Sequence, residues 1–280
     1  IFYTGDVLIL FSLVGILLIL TARLSDKRVF IIAIILFIMP LQWGKIIYAL
    51  SNPDYIQGVR PYYEYYQKVI PVLKEGNFSD MVKGAFNSQS YSFLWWVGEG
   101  RVFQVAALFL IGMLIGRRKL FMNTPENISF WRKSMVIGIV CYFPLAGLMP
   151  ILKELIDNEV IKHQTRTLLS NYSSIAFTCF LVSLIILVYY KSNFGKILTK
   201  LEPYGRMSLT MYLSQSILGG FIFYNWGLGL SSRLSITTSL LVGVGIFIIQ
   251  YIFAYFWLKS HTQGPLEYIW KEATWIGKKA

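Results

Sequence analysis

Charged side chains are scarce in this sequence. They make up 14% of 280 residues, where a soluble domain carries about 25%. Cysteine and histidine are scarcer still, two of each. There is no Cys-x-x-Cys pair, no His-Glu-x-x-His helix and no P-loop, so the chain has no disulfide framework, no recognised metal-ligand spacing and no phosphate cradle. Cys141 and Cys179 both fall inside apolar runs, where a lone thiol acts as a small hydrophobe. No cofactor motif is evident.

What replaces charge is apolar length. Hydrophobic residues reach 55% and mean hydropathy is +0.55, and uncharged runs long enough to cross a bilayer core of about 30 Å recur along the chain. The formal charge of +12 does not imply nucleic acid, because the Lys and Arg residues sit in short segments between apolar runs, as in membrane proteins. The lipid bilayer is the expected partner and no nucleic-acid partner is expected.

The fold class read from this pattern is all-α, a single polytopic bundle over 1–280 with about seven spans. These cover Gly5 to Ala22, Val29 to Trp43, a third span ending at Gly116, Ser134 to Leu152, Leu168 to Tyr190, Met207 to Tyr224 and Ile236 to Leu258. Pro40 and Pro144 lie within apolar runs, where membrane helices accept kinks. With the first connector placed inside, the inner side collects 16 of the 26 Lys and Arg residues against five acids. The outer side has ten against nine. The rule that cytoplasmic loops are positive therefore puts Ile1 outside the cell membrane and Ala280 in the cytoplasm, with 261–280 as a cytoplasmic tail. A Met-less start directly on a span, without a signal-peptide pattern, predicts a C-terminal fragment of a larger bundle whose upstream helices are its missing partners. The sequence does not specify an oligomeric state.

Between the second and third spans, 51–90 is too polar to span. Tyr62, Tyr66, Val69, Ile70 and Leu73 recur at helical spacing, then Phe78, Met81, Val82 and Ala85. Tyr-rich amphipathic helices suit the headgroup layer, so this segment is expected to be an extracytoplasmic cap, lying on the bilayer or closing a substrate entrance.

Polar residues within apolar context are the candidates for function. Val102 to Gly116 spans only about 22 Å at the helical rise, so the third helix is expected to extend back to Trp95. That places Glu99, Arg101 and Gln104 within the membrane's outer part, where ionisable groups either face a wet cavity or snorkel beside an aromatic belt, here Trp95 and Trp96. Asp6 at the mouth of the first span is a candidate partner for Arg101. Ser208, Tyr212 and Gln215, with Gly219, share one face of the sixth span, which would line a polar cavity or glue helices together. Arg206 sits at that helix's inner end. Glu267, behind the Gly264-Pro265 helix start, occupies a first turn where an anion is stabilised by the helix dipole. His163 and His261 read as surface loop residues without an acid or nucleophile at catalytic spacing.

Four segments carry a family resemblance. They are Gly5-Asp6-Val7-Leu8, Phe109-Leu110-Ile111-Gly112-Met113 running to Gly116-Arg117, Gly205-Arg206-Met207-Ser208-Leu209-Thr210 running to Gln215-Ser216, and Gly264-Pro265-Leu266-Glu267. The Gly-Leu-Gly-Leu run ending at Leu230 fits the loop after the third. In order and content the sequence resembles the YeiB-like membrane proteins, known as domain of unknown function 418, with one departure: Met211 stands where the family commonly has Asn. The resemblance implies distant kinship with membrane acyltransferases such as heparan glucosaminide acetyltransferase. It also implies an acyl-CoA donor, and catalytic Arg, Asp and His residues on helices upstream of Ile1. Three functions stay open: acyl transfer to a small-molecule or glycan acceptor, a small-molecule transporter in which Glu99, Arg101 and Gln215 contact substrate, and a non-catalytic membrane partner. No inverted internal repeat, which would favour transport, is visible.

Overall fold

A computed structural model describes residues 7–56, 58, 60–191 and 193–276. Asp6 and its motif neighbour Gly5, together with both chain ends, lie outside the described residues. All regular structure among those described is helical, as the composition requires. The chain divides into two compact units, one from Gly5–Tyr63 with Ser90–Ser192, the other from Glu64–Gln89 with Asn193 onward.

The first unit holds α1 (Leu8–Thr21), α2 (Asp26–Ile38), α3 (Pro40–Ser51), α6 (Arg101–Arg117), α7 (Pro125–Leu155) and α8 (Glu159–Lys191). Helix α6 packs on α1 and α2 through small and branched residues: Ala106 and Leu110 meet Leu10, Val14, Val29 and Ala33. Arg117, at the end of α6, holds the α1–α2 turn. Its guanidinium donates to Ala22 O at 2.6 Å and Leu24 O at 2.9 Å, and pairs with Asp26 at 3.2 Å. The carbonyls just past the end of α1 and the first acid of α2 thus share one cation, Arg117 of the Gly116-Arg117 pair.

Two helix breaks set this unit apart from a plain bundle. Met39, in the left-handed region at φ 59°, separates α2 from α3 with a 41° bend, and Pro40 starts the new helix. Tyr172 on α8 donates to the Ile38 carbonyl freed there, at 2.9 Å. The second break corrects the expected third span. No single helix runs from Trp95 to Gly116; α5 (Phe78–Gly98) and α6 meet at a 72° bend at Glu99 and Gly100. Gly100 has φ +69°, which L side chains rarely adopt, and a Cβ there would lie 1.9 Å from Met39 Cε, the far end of a flexible side chain, so the turn favours glycine.

The second unit contains most of α4 (Pro61–Glu75) and the first half of α5, which cover the expected cap and pack together through Tyr65 OH donating to Gly84 O at 2.8 Å. It continues with α9 (Gly195–Leu198), α10 (Glu202–Arg206), α11 (Ser208–Phe223), α12 (Ile236–Trp257) and α13 (Pro265–Thr274). Met207 and Met211 on and before α11 bury against Ala254 of α12.

Each of the seven apolar segments carries a helix, but they are not equally long. Pro125–Leu152, Glu159–Lys191 and Ile236–Trp257 are long and apolar enough to cross a membrane alone, and the two bent pairs could each add one. Leu8–Thr21 and Ser208–Phe223 are shorter. Helix α12 presents Leu240, Leu241, Val244, Ile248, Ile249 and Ile252 outward, an apolar surface that suits lipid and not water.

Candidate functional site

The break at Glu99 collects polar side chains from three directions. A helix end leaves carbonyls without intrahelical donors, and away from water each needs a partner. Gln42 of α3, fully buried, donates its amide to the carbonyls of Val97 and Gly98, both at 3.3 Å. Asn171 of α8 donates to the Glu99 carbonyl at 3.1 Å and to Thr167 O at 2.7 Å. Two side-chain amides therefore replace the hydrogen bonds that the helix gives up.

The Glu99 carboxylate is held as tightly. Tyr62 OH donates to Oε1 at 3.0 Å, Thr167 Oγ1 donates to Oε2 at 3.2 Å, and His163 Nε2 stands 3.3 Å from Oε1. Burial first, then the neighbouring carboxylate, push the Tyr62 phenol above its usual value, so it remains a donor. His163 is accordingly no surface residue. It is largely buried, at 18% exposure, and the acid that the sequence did not place beside it is Glu99, 64 residues earlier. Arg101 turns away and donates to Gln104 Oε1 at 2.8 Å, with Gln104 buried on α6.

His163 also lines an open cavity of about 870 Å³, with Asp54, Tyr55, Arg60, Tyr63, Asn158 and Glu159 among the other walls. A carboxylate that fixes an imidazole at a cavity wall is the arrangement by which enzymes orient a general base. Sequence reasoning named Glu99 but missed His163, Thr167, Asn171 and Gln42. The one available signal was Gln164, Thr167 and Asn171 recurring at i, i+3 and i+7 along α8, and the Lys162, His163, Arg166 and Ser170 side chains between and beside them mask it.

The other motif residues form a separate constellation. Glu267 sits in the first turn of α13, but its carboxylate serves another helix. Oε1 accepts from the backbone N–H of Leu209 at 2.8 Å and Thr210 at 3.0 Å, and Oε2 accepts from Thr210 Oγ1. It is thus the N-terminal cap of α11, which has no capping side chain of its own. Burial opposes its charge, yet these hydrogen bonds outweigh burial and hold its carboxyl below the usual carboxylate range. A Cβ at Gly264 would lie 2.2 Å from Glu267 Oε2, so the glycine admits the carboxylate. Pro265 then opens α13, the Leu266 N–H donates to Thr210 Oγ1 at 3.2 Å, and Arg206 donates to Thr262 O at 2.7 Å. Gly205 is exposed beside it.

Along α11, Ser208 and Gln215 are exposed and Tyr212 is half-buried. The polar contact of this helix runs instead through the buried Gln250 of α12. It donates to Ser214 Oγ at 2.8 Å and Met211 O at 2.9 Å, and accepts from Tyr204 OH at 3.1 Å. Because Gln250 uses the Met211 carbonyl, the Met in place of Asn leaves that bond intact.

Comparison with known proteins agrees with these motifs. Uncharacterised protein YxaH of Bacillus subtilis is 24% identical over 290 aligned residues, covering 98% of this chain and 67% of its own length. Uncharacterised protein YeiB of Escherichia coli is 23% identical, over 98% of this chain and 70% of its own. A 39.9 kDa uncharacterised protein in the amylase 3′ region of Bacillus acidopullulyticus is 38% identical over 30% of this chain and 23% of its own. No solved structure matches significantly. The family model for "Protein of unknown function (DUF418)" matches residues 115–277, more than half of the chain, with the Gly205–Ser216 and Gly264–Glu267 segments whole, and this membrane protein belongs to that family.

Proposed function

We propose that the Glu99–His163 pair is the base of a membrane acyltransferase that acts on a hydroxyl or amine acceptor in the adjoining cavity. The observation that carries the reading is a buried carboxylate 3.3 Å from an imidazole that lines an 870 Å³ cavity. In the step, His163 takes the proton of the acceptor hydroxyl as its oxygen forms the new bond to the acyl carbon. The bond from that carbon to the donor's leaving group then breaks, and the departing sulfur or oxygen takes up the proton. Glu99 holds the ring and stabilises the imidazolium between these events. An acyl thioester such as acyl-CoA is the donor that the family's kinship suggests. Steady-state turnover by the purified protein in liposomes, with a radiolabelled acyl donor, tests this. His163→Ala should lower kcat by about 10²-fold or more with KM changed less, and an unchanged kcat would refute it.

One observation favours a second reading, transport of a small molecule. Discontinuous helices with a buried charge at the break are how many transporters build a substrate site, and one of the two breaks in this unit carries Glu99. Uptake of a labelled compound without covalent change, abolished by Glu99→Gln, would select transport over transfer.

A further inference from the structure

Three buried oxygens in the first unit accept no hydrogen bond: Gln42 Oε1, Gln164 Oε1 and Asn171 Oδ1. For two of them the amide orientation is settled by chemistry. The Gln42 nitrogen is bound to the carbonyls of residues 97 and 98 and the Asn171 nitrogen to that of residue 99, so turning either amide over would set oxygen against oxygen. Both oxygens therefore flank the same three residues of backbone. Gln164 lies on the α8 face that carries Thr167 and Asn171, and Thr167 touches the Glu99 carboxylate.

The fourth unmet atom of this unit, His163 Nε2, stands 3.3 Å from Glu99 Oε1, and the three oxygens are all acceptors. A water molecule can donate only two hydrogen bonds, whereas a cation can satisfy several oxygens together. Among the described residues no Lys or Arg nitrogen is in ion-pair reach of the nearby Glu99 carboxylate: Lys45 interacts with it only from beyond that distance, and Arg101 is turned to Gln104. A buried carboxylate without such a partner is costly. The ligand chemistry is equally specific. Among the described residues no three His, Cys, Asp or Glu side chains gather as a transition-metal site needs, while amide and carboxylate oxygens are the donors that hard cations take.

We propose that the α5–α6 break binds one alkali-metal cation, through Glu99 and the amide oxygens of Gln42, Asn171 and Gln164. The cation brings a full positive charge onto Glu99, closer than Lys45 stands, and the proposal does not rest on acyl transfer by His163. Sodium is the probe. The purified protein in nanodiscs should retain ²²Na⁺ near one per chain, displaced by unlabelled NaCl and not by choline chloride at equal ionic strength. Glu99→Gln should abolish the retention. Gln164→Met removes one oxygen, leaves the ties to the break in place, and should weaken apparent affinity about tenfold, equivalent to about 1.4 kcal/mol. Choline-resistant sodium that is absent from the wild-type protein, or sodium retention undiminished in both variants, would overturn the proposal; in the former case the oxygens hold water.

Discussion

The Gly264–Glu267 arrangement makes a quantitative prediction about coupling. Gly264 has φ −70° and ψ 163°, which any residue adopts, so Gly264→Ala strains no backbone. Its added Cβ meets the Glu267 carboxylate at 2.2 Å and Thr210 Oγ1 at 2.9 Å, and the flexible carboxylate is what must give way. Displacing it strips the cap from α11. Losing a capping side chain costs about 0.5–2 kcal/mol, and because the carboxylate is partly solvated the lower half of that range, about 1 kcal/mol, applies. Glu267→Ala removes the same cap and should cost about as much. The double variant should then cost little more than either single one, because the second substitution has nothing left to displace, giving a coupling energy of about 1 kcal/mol. Reversible unfolding in mixed micelles, followed by Trp fluorescence, measures all four corners of the cycle. Additive losses, with Gly264→Ala equally costly in both backgrounds, would refute the claim that this glycine exists to admit the carboxylate.

Other consequences can be measured in the same way. Gly100→Ala should destabilise by about 2 kcal/mol or more, since it meets both a positive φ and Met39; a loss within 0.5 kcal/mol by the same unfolding assay, itself about the error between distant sites, would contradict the geometry. The Glu267 carboxyl is held below its unfolded value, so its contribution is complete at neutral pH and disappears as pH falls through the folded value, beneath the ordinary carboxylate range; Glu267→Gln should lose this acid limb of the stability–pH curve while His163→Ala retains it. Arg117→Lys should fail to rescue the turn that Arg117→Ala loosens, because a lysine cannot present two forked donors to Ala22, Leu24 and Asp26 together; protease accessibility of the α1–α2 turn reads this directly.

Much of the fold was legible because apolar run length is a one-dimensional property. Bilayer thickness turns it into helices without knowledge of neighbours, and each of the seven runs does carry one. The breaks were less legible for different reasons. Pro40 announces the first, since it cannot donate to the preceding turn. Gly100 announces the second only weakly, because glycine is common in membrane helices and a lone Glu-Gly pair looks equally like a helix interior. Glu267 shows the same limit. Its own helix start explains it adequately, and only the fold reveals that Leu209 and Thr210, nearly sixty residues earlier, are the donors it serves.

The candidate site illustrates why pairs of this kind escape a sequence reading altogether. Spacing patterns detect residues that share one helix face, such as Ser208, Tyr212 and Gln215, of which Ser208 and Gln215 are exposed and Tyr212 half-buried. The site at Glu99 draws instead on α3, α4, the α5–α6 break and α8, with partners up to 72 residues apart. What brings them together is one physical demand. A helix broken in an apolar setting leaves carbonyls and a largely buried carboxylate in need of partners, and Gln42, Tyr62, His163, Thr167 and Asn171 each answer one or more of those groups. Polar residues that look scattered along apolar helices are thus consistent with a single cause, the turn that Gly100 permits. The same demand explains the excess of acceptors there. The break also frees the N–H groups that open α6, but the Gln42 and Asn171 amides spend their nitrogens on its carbonyls, and the oxygens left over are the feature that a bound cation would complete.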